Sequence, residues 1–367
     1  ALVPSGESAE TGRANKRTVL ALKARTALYA ASPLFNSHQE GSQGYKELWY
    51  RAAKANKELI ETCEDAGMRL IDDYENLWDA KSYSIAIDEL IFGCRAIRAT
   101  NSFEKYNFPV GLENCRGGNC PTQTLVDAYE LKDSGERPDK KADYDKNKPY
   151  YEGRDPRFEK TIAKNGDTKW PNWNETALET YQGGANAEPL SGGTPTGYYL
   201  KKYCQTSINT TTAKPTTDNH TWIIYRLGEF YLNYAEALFK YLGTAYATNN
   251  EFPIPANEMV SKTRRRTKVN MPKFPAGLDN KLWWEKYQNE RMVELAFEGH
   301  RFWDVRRWKE GDKHFSSIDE MKIYKSGDSY SYRRVTVNRQ WDDKMYFFPI
   351  PQSEKAKNPN LTQNPGW

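Results

Sequence analysis

Between about residues 100 and 220 the chain is rich in Gly, Pro, Asn, Thr and aromatic residues, and its only short helical run lies near Thr122 to Tyr129. A loop-rich stretch of that length stays ordered only when something rigid holds it. The rest of the sequence supplies the support. Residues 13–32 place Val19, Leu22 and Leu28 at helical spacing among small alanines, and Pro33 stops the run. Residues 45–66 repeat the pattern with Leu48, Ala52, Ala55, Leu59 and Cys63, and Gly67 follows as a C-cap glycine would. Joined by a turn, the two make a helical hairpin. A third helix is predicted over residues 222–242, ending at Gly243, and a fourth over 279–299, starting at the N-cap Asp279. Leu227, Gly228 and Tyr231 echo the L-G-x-x-Y part of a tetratricopeptide repeat, in which small residues let a partner helix approach.

Composition narrows the class of protein. The mean hydropathy of -0.89 is very low, but 24 Tyr, 14 Phe and 11 Trp supply the large apolar surfaces that disordered chains lack. With 367 residues, 38% of them hydrophobic, the chain can bury a substantial core. The formal net charge of +4 is spread along the sequence, so no field points to nucleic acid. The cluster Lys262, Arg264, Arg265, Arg266 and Lys268 reads as a solvated face rather than a phosphate site. No run approaches the roughly 18 apolar residues of a membrane helix. The five cysteines, Cys63, Cys94, Cys115, Cys120 and Cys204, match no zinc spacing. Cys115 and Cys120 bracket Arg-Gly-Gly-Asn, where a disulfide and a pair of free thiols both fit.

A search for catalytic patterns returns little. G-x-S-x-G, H-E-x-x-H, Walker A and Rossmann glycine motifs are absent from the sequence. Glu290, Glu294 and Glu298 recur at i, i+4 and i+8, a carboxylate set that glycoside hydrolysis could use. Arg291, Arg301, Arg306 and Arg307 lie close by, and ion pairs that fix a helix corner are the reading preferred here. Asp143, Asp145 and Asn147 have EF-hand spacing, but Lys148 and Arg154 stand where the calcium loop requires Gly and Glu.

The last quarter of the chain carries the sharpest motifs, ERMVELAFEGHRFWDVRRWK at 290–309 and FFPIPQSEKAKNPNLTQNPGW at 347–367. Both resemble the C-terminal signatures of the SusD/RagB family. LALKARTALYAASPLFN (20–36), PTQTLVDAYE (121–130), GRDPRF (153–158) and RLGEFYLNYAEAL (226–238) resemble further family elements in the same order. The resemblance implies an all-α fold in which tetratricopeptide-like helix pairs, at 13–99 and 222–310, support a loop-rich ligand-binding region at 100–221, with an extended signature tail at 340–367. It implies a single domain, 1–367, lacking the N-terminal part of a longer protein. It also implies a lipoprotein on the outer face of the outer membrane, anchored through a lipid outside this chain. Such a protein binds a glycan, or in some members a peptide, beside a SusC-like TonB-dependent transporter, with no catalytic site, cofactor or metal.

Within that frame Glu290, Arg291, Glu294, Glu298, Arg301, Asp304 and Arg307 are expected to be structural, the glutamates facing Arg301, Arg306 and Arg307 above Phe297, Phe302, Trp303 and Trp308. Ligand contacts are expected from the loops, because sugar rings lie flat on aromatic faces while their hydroxyls seek planar polar groups. Trp78, Tyr106, Trp170 and Trp173 are the candidate platforms, with Asn101, Asn107, Arg116 and Asn172 as polar partners. A glycoside hydrolase using the helix carboxylates and a tetratricopeptide scaffold for protein partners are the competing readings.

Overall fold

The computed structural model describes residues 12–95, 98–138 and 151–367. The EF-hand-like Asp143, Asp145, Asn147 and Lys148 lie outside the described residues. Helix α1 (Lys16–Ala31) starts at Asn15, whose side chain accepts from Thr18 N at 3.1 Å, and stops at Ser32, ahead of Pro33. Helix α2 (Gln43–Asp65) is capped by Ser42 and buries Trp49, Ala52, Ala53, Asn56, Leu59 and Cys63. The alanines of both helices let them close antiparallel, with Ala24 opposite Asn56. After the short α3 (Tyr83–Ala86), strand β1 (Leu90–Arg95) leads into the loop-rich half. That half holds α4 (Ser102–Asn107), α5 (Gln123–Ala128), α6 (Arg157–Thr161) and the two-residue strands β2 (Ile162–Ala163) and β3 (Tyr199–Leu200).

The chain returns to the scaffold through β4 (Thr221–Arg226), antiparallel to β1, and only then enters α7 (Leu227–Leu242). The predicted helix over 222–242 is therefore a strand followed by a helix, because the β-branched Thr221, Ile223 and Ile224 suit a pleated strand. Every residue of α7 from Leu227 to Phe239 is buried, and Gly243 closes it at φ 76°. It packs against α2, with Tyr231 donating to Glu64 at 2.6 Å, and against α1, where Arg25 grips Glu229 at 2.5 and 2.7 Å. Gly228 is small for an unexpected reason. A Cβ there would come within 2.4 Å of the Arg226 guanidinium, so the glycine makes room for buried charges rather than for a helix.

Helices α8 (Ala256–Arg264), α9 (Asn280–Glu294), α10 (His300–Arg307) and α11 (Gly311–Phe315) follow. Helix α9 ends before Gly299, and Phe297 (φ 59°) and Gly299 (φ 81°) turn the chain into α10. Strands β5 (Ser317–Ser326) and β6 (Ser329–Asn338) form a long hairpin, and α12 (Gln352–Lys357) lies in the tail. The fold is thus mostly helical, with three two-stranded sheets among the described residues in place of the all-α expectation. The main core lies between α1, α2, α7, α8 and α9, while smaller aromatic cores sit inside the loop-rich half. No helix among the described residues is long and apolar enough to cross a membrane.

Candidate functional site

The signature carboxylates are buried and saturated. Glu294 accepts from Arg226 and Arg266 at 2.7 and 2.8 Å and from Arg157 at 2.6 Å. Glu290 takes Arg157 at 2.7 Å and Arg264 at 2.9 Å, and Glu298 takes Arg226 and Lys202, each at 2.7 Å. Glu89 binds the other side of Arg226 and Arg266. Burial pushes the Glu298 carboxyl up, but Arg226 and Lys202 overcome it and hold it at about 2. A second cluster has Arg291 on Asp304 at 2.7 Å and Arg307 spanning Asp304 and Glu236.

These contacts correct the expected pairing. Arg301 reaches His314 at 3.1 Å and Arg306 lies over the Phe302 ring, so neither meets the three glutamates, and Arg307 serves Glu236. Phe302 and Trp303 are exposed, with Phe348 of the tail stacked on Phe302, and Phe297 is exposed too; only Trp308 of that group is buried. Arg264 and Arg266 are also buried, so the solvated-face reading of their cluster fails for these two, while Arg265 and Lys268 are exposed. The side chains of Glu290, Glu294 and Glu298, each at most 1% exposed, have no access to a substrate.

Among the loop candidates, burial separates platforms from packing. Trp78 is 2% exposed, wedged between Tyr74 and Tyr203 with Lys202 over its ring. Trp170 is 5% exposed, edge-on to Phe108. Neither presents a face to a ligand, because an indole buried in a loop supplies that loop's own core. Asn107 is also buried, donating to Phe103 O and accepting from Asn119. Trp173 is half-buried and donates to Ile208 O at 2.8 Å, Asn172 is exposed, and Asn101 is tied to Thr216 O at 3.1 Å.

Tyr106 and Arg116 come together. With Ser102, Lys105, Asn114 and Cys115 they line an open cleft of about 600 Å³ on the loop-rich half. Helix α4 supplies Ser102, Lys105 and Tyr106, and the loop after it supplies the other wall. That loop is folded back onto α4 by hydrogen bonds from Gly117 N to Phe108 O (2.9 Å) and Gly118 N to Tyr106 O (2.7 Å). Gly118 passes so close that a Cβ would lie 2.2 Å from a carbon of the Tyr106 ring. Asn114 is fixed by donating to Thr210 O at 2.8 Å, and Cys115 contacts the Thr210 hydroxyl. Burial pushes the Cys115 thiol up to about 11, and the thiols of Cys115 and Cys120 are unpaired in this structure. Ser102, Lys105 and Asn114 are not among the residues marked from sequence, and Cys115 is marked there only for its pairing with Cys120. The signal that would have found them is the pair of glycines after Arg116, which lets the loop pack on the helix.

A second cleft, of about 530 Å³, lies where α2 meets α7 and is lined by Gly41, Gln43, Lys46, Glu47, Tyr50 and Tyr241. Its Tyr50 hydroxyl already pairs with Glu251 and Lys54, and its Glu47 with Arg51. In the first cleft the side chains of Lys105, Tyr106 and Arg116 make no hydrogen bond or ion pair among the described residues.

A model of the SusD family matches residues 89–367. The chain belongs to the SusD family. A SusD-like protein of Bacteroides ovatus is 22% identical over 390 residues, covering 98% of this chain and 63% of the relative. The chain thus spans less than two thirds of the curated relative it matches. Among solved SusD-like structures, one from Bacteroides fragilis is 26% identical with a TM-score of 0.78, over 100% of this chain and 68% of that one. A SusD-like carbohydrate binding protein of the same species is 24% identical with a TM-score of 0.74, over 98% of this chain and 67% of its own. In these SusD terms, the buried charge clusters are built largely from the sequence blocks that carry the family resemblance.

Proposed function

We propose that this SusD-family chain binds a glycan at the Tyr106 cleft and passes it to a SusC-like TonB-dependent transporter without chemical change. It would do so from the outer face of the outer membrane, held by a lipid anchor outside this chain. The observation that carries the reading is the cleft itself. An exposed aromatic ring is fixed in place by Gly118 and flanked by polar groups turned to solvent, the mixture a sugar's apolar face and hydroxyl rim call for. A fold neighbour described as carbohydrate binding supports the same direction. The packing of α1, α2 and α7 is read as tetratricopeptide-like, a scaffold for the loops of 100–221. Isothermal titration against a panel of neutral and acidic glycans, with mixed peptides as a separate arm, tests the proposal. Binding of one glycan class, weakened by Tyr106→Ala and without turnover, supports it. Binding of peptides alone replaces it with the peptide reading, and cleavage of a ligand sinks the non-catalytic part.

A further inference from the structure

The cleft gathers two cations that the fold does not use in ion pairs among the described residues. In the central cluster the buried cations are ion-paired: Arg157 meets Asp155, Glu290 and Glu294, Arg226 meets Glu89, Glu294 and Glu298, and Lys202 meets Glu298. Many surface lysines are paired too, such as Lys23 with Glu58 and Lys57 with Glu61. Lys105 and Arg116, which line the cleft beside the Tyr106 ring, have no ion-pair partner among the described residues. The cleft lining contains no Asp or Glu. The nearest acid along the loop, Glu113, turns its carboxylate to the backbone N–H of Thr212 at 2.7 Å, away from both cations in hydrogen-bonding terms.

A lining of this kind offers donors and few acceptors. A neutral sugar presents hydroxyls that both donate and accept, and the sites that hold it use carboxylates and amide oxygens as well as donors. Here the amide nitrogen of Asn114 is already spent on Thr210 and Thr212. What remains is a guanidinium fork, an ammonium and an aromatic face, with the Asn114 amide oxygen and the Tyr106 hydroxyl as the neutral groups between them. The fork matches a carboxylate or sulfate in a planar, two-pronged geometry, and the ammonium pairs with a second anionic group as a point charge. Resting on the glycan reading of this cleft, we infer that its ligand is an acidic glycan, with carboxylate or sulfate groups held by Lys105 and Arg116 and a sugar ring laid on Tyr106.

The test uses the chain with three probes: polygalacturonate for carboxylates, a sulfated galactan for sulfates, and laminarin as a neutral glucan. Titration is repeated with a K105Q/R116Q variant, and with K81Q/K281Q, which removes the same charge from exposed positions elsewhere. The expected result is that at least one anionic polymer binds about tenfold or more tighter than laminarin and weakens with added salt. K105Q/R116Q should lose about tenfold in that affinity while keeping the thermal midpoint, and K81Q/K281Q should keep the affinity. The two anionic arms then tell carboxylate from sulfate recognition. Tighter binding of laminarin, or equal loss in both charge variants, overturns the acidic inference and leaves the glycan reading standing. Failure of all three glycans alongside binding of mixed peptides overturns the glycan reading itself.

Discussion

Arginine does opposite work in two regions of this molecule. In the centre, Arg157, Arg226 and Arg266 are fully buried among Glu89, Glu290, Glu294 and Glu298. On the loop-rich half, Arg116 stands in solvent at the rim of a cleft with no carboxylate opposite it. A buried charge is tolerable only with its partners in place, so the central cluster locks together segments from distant parts of the chain. An exposed, unpaired charge costs little and is free to meet a ligand. One region holds the fold and the other is available to bind.

The sharpest way to break that contrast is to remove one member of the cluster. Glu294→Ala should cost about 3–5 kcal/mol in denaturant unfolding, because it leaves Arg157, Arg226 and Arg266 partly unpaired in the interior. A loss below about 1 kcal/mol would show that the buried charges do not hold the fold.

Acid should find the same cluster by titration. A carboxylate held low in the fold adds stability above its unfolded pKa and loses it as pH falls through the folded one. For Glu298 that window runs from 4.5 down to about 2. His300 adds an earlier limb. Burial pushes its imidazole from 6.5 down to about 4, with Glu229 opposing. The unfolded chain therefore binds the proton first, and stability falls as pH drops from 6.5 toward 4. Urea midpoints measured from pH 8 to 3 should decline from about pH 6.5 and steepen below 4.5, and His300→Asn should shrink only the upper limb, leaving the share of His314, whose imidazole burial also pushes down. A flat profile between pH 7 and 5 would remove His300 from this account.

Between the two regions stands Gly118, which belongs to the fold but shapes the site. Gly118→Ala would drive a methyl group into the Tyr106 ring, at a cost of about 1–3 kcal/mol as the ring or loop shifts. The thermal midpoint and glycan affinity should fall together. A loss of stability with affinity intact would mean that Tyr106 does not depend on the loop for its position.

How much of this was legible in the sequence follows from the range of the interactions. The helices are readable from spacing and from end signals such as Gly67, Asp279 and Gly243, which are local. The strand at 221–226 was read as helix because it runs into α7 without a break. Glu290, Glu294 and Glu298 are expected from sequence to sit in ion pairs, and the fold gives them other partners than the expected ones. Sequence proximity favoured Arg301, Arg306 and Arg307, while the fold brings Arg157, Arg226, Arg264 and Arg266 from other segments. In the loops, composition marked aromatic stretches without telling buried rings from presented ones. Trp78 and Trp170 fill cores of their own, and Tyr106 faces out because two glycines let the next loop run beneath it.

The smallest effect on the fold should be the largest on binding. Tyr106 is 52% exposed and lies beside Gly118, so Tyr106→Ala should change unfolding stability by only about 0.5 kcal/mol. Its ring is nevertheless the apolar face of the cleft, and truncating such an anchor at a binding site costs about 2 kcal/mol, roughly a thirtyfold loss of affinity. Tyr106→Phe isolates the hydroxyl: if the ring face is what the sugar meets, affinity should stay within about threefold of the native chain. Parallel titration and thermal melts of both variants check this. Should Tyr106→Ala unfold the loop half while Tyr106→Phe binds normally, the tyrosine would join the packing residues, and the division between a saturated interior and an open cleft would have to be redrawn at α4.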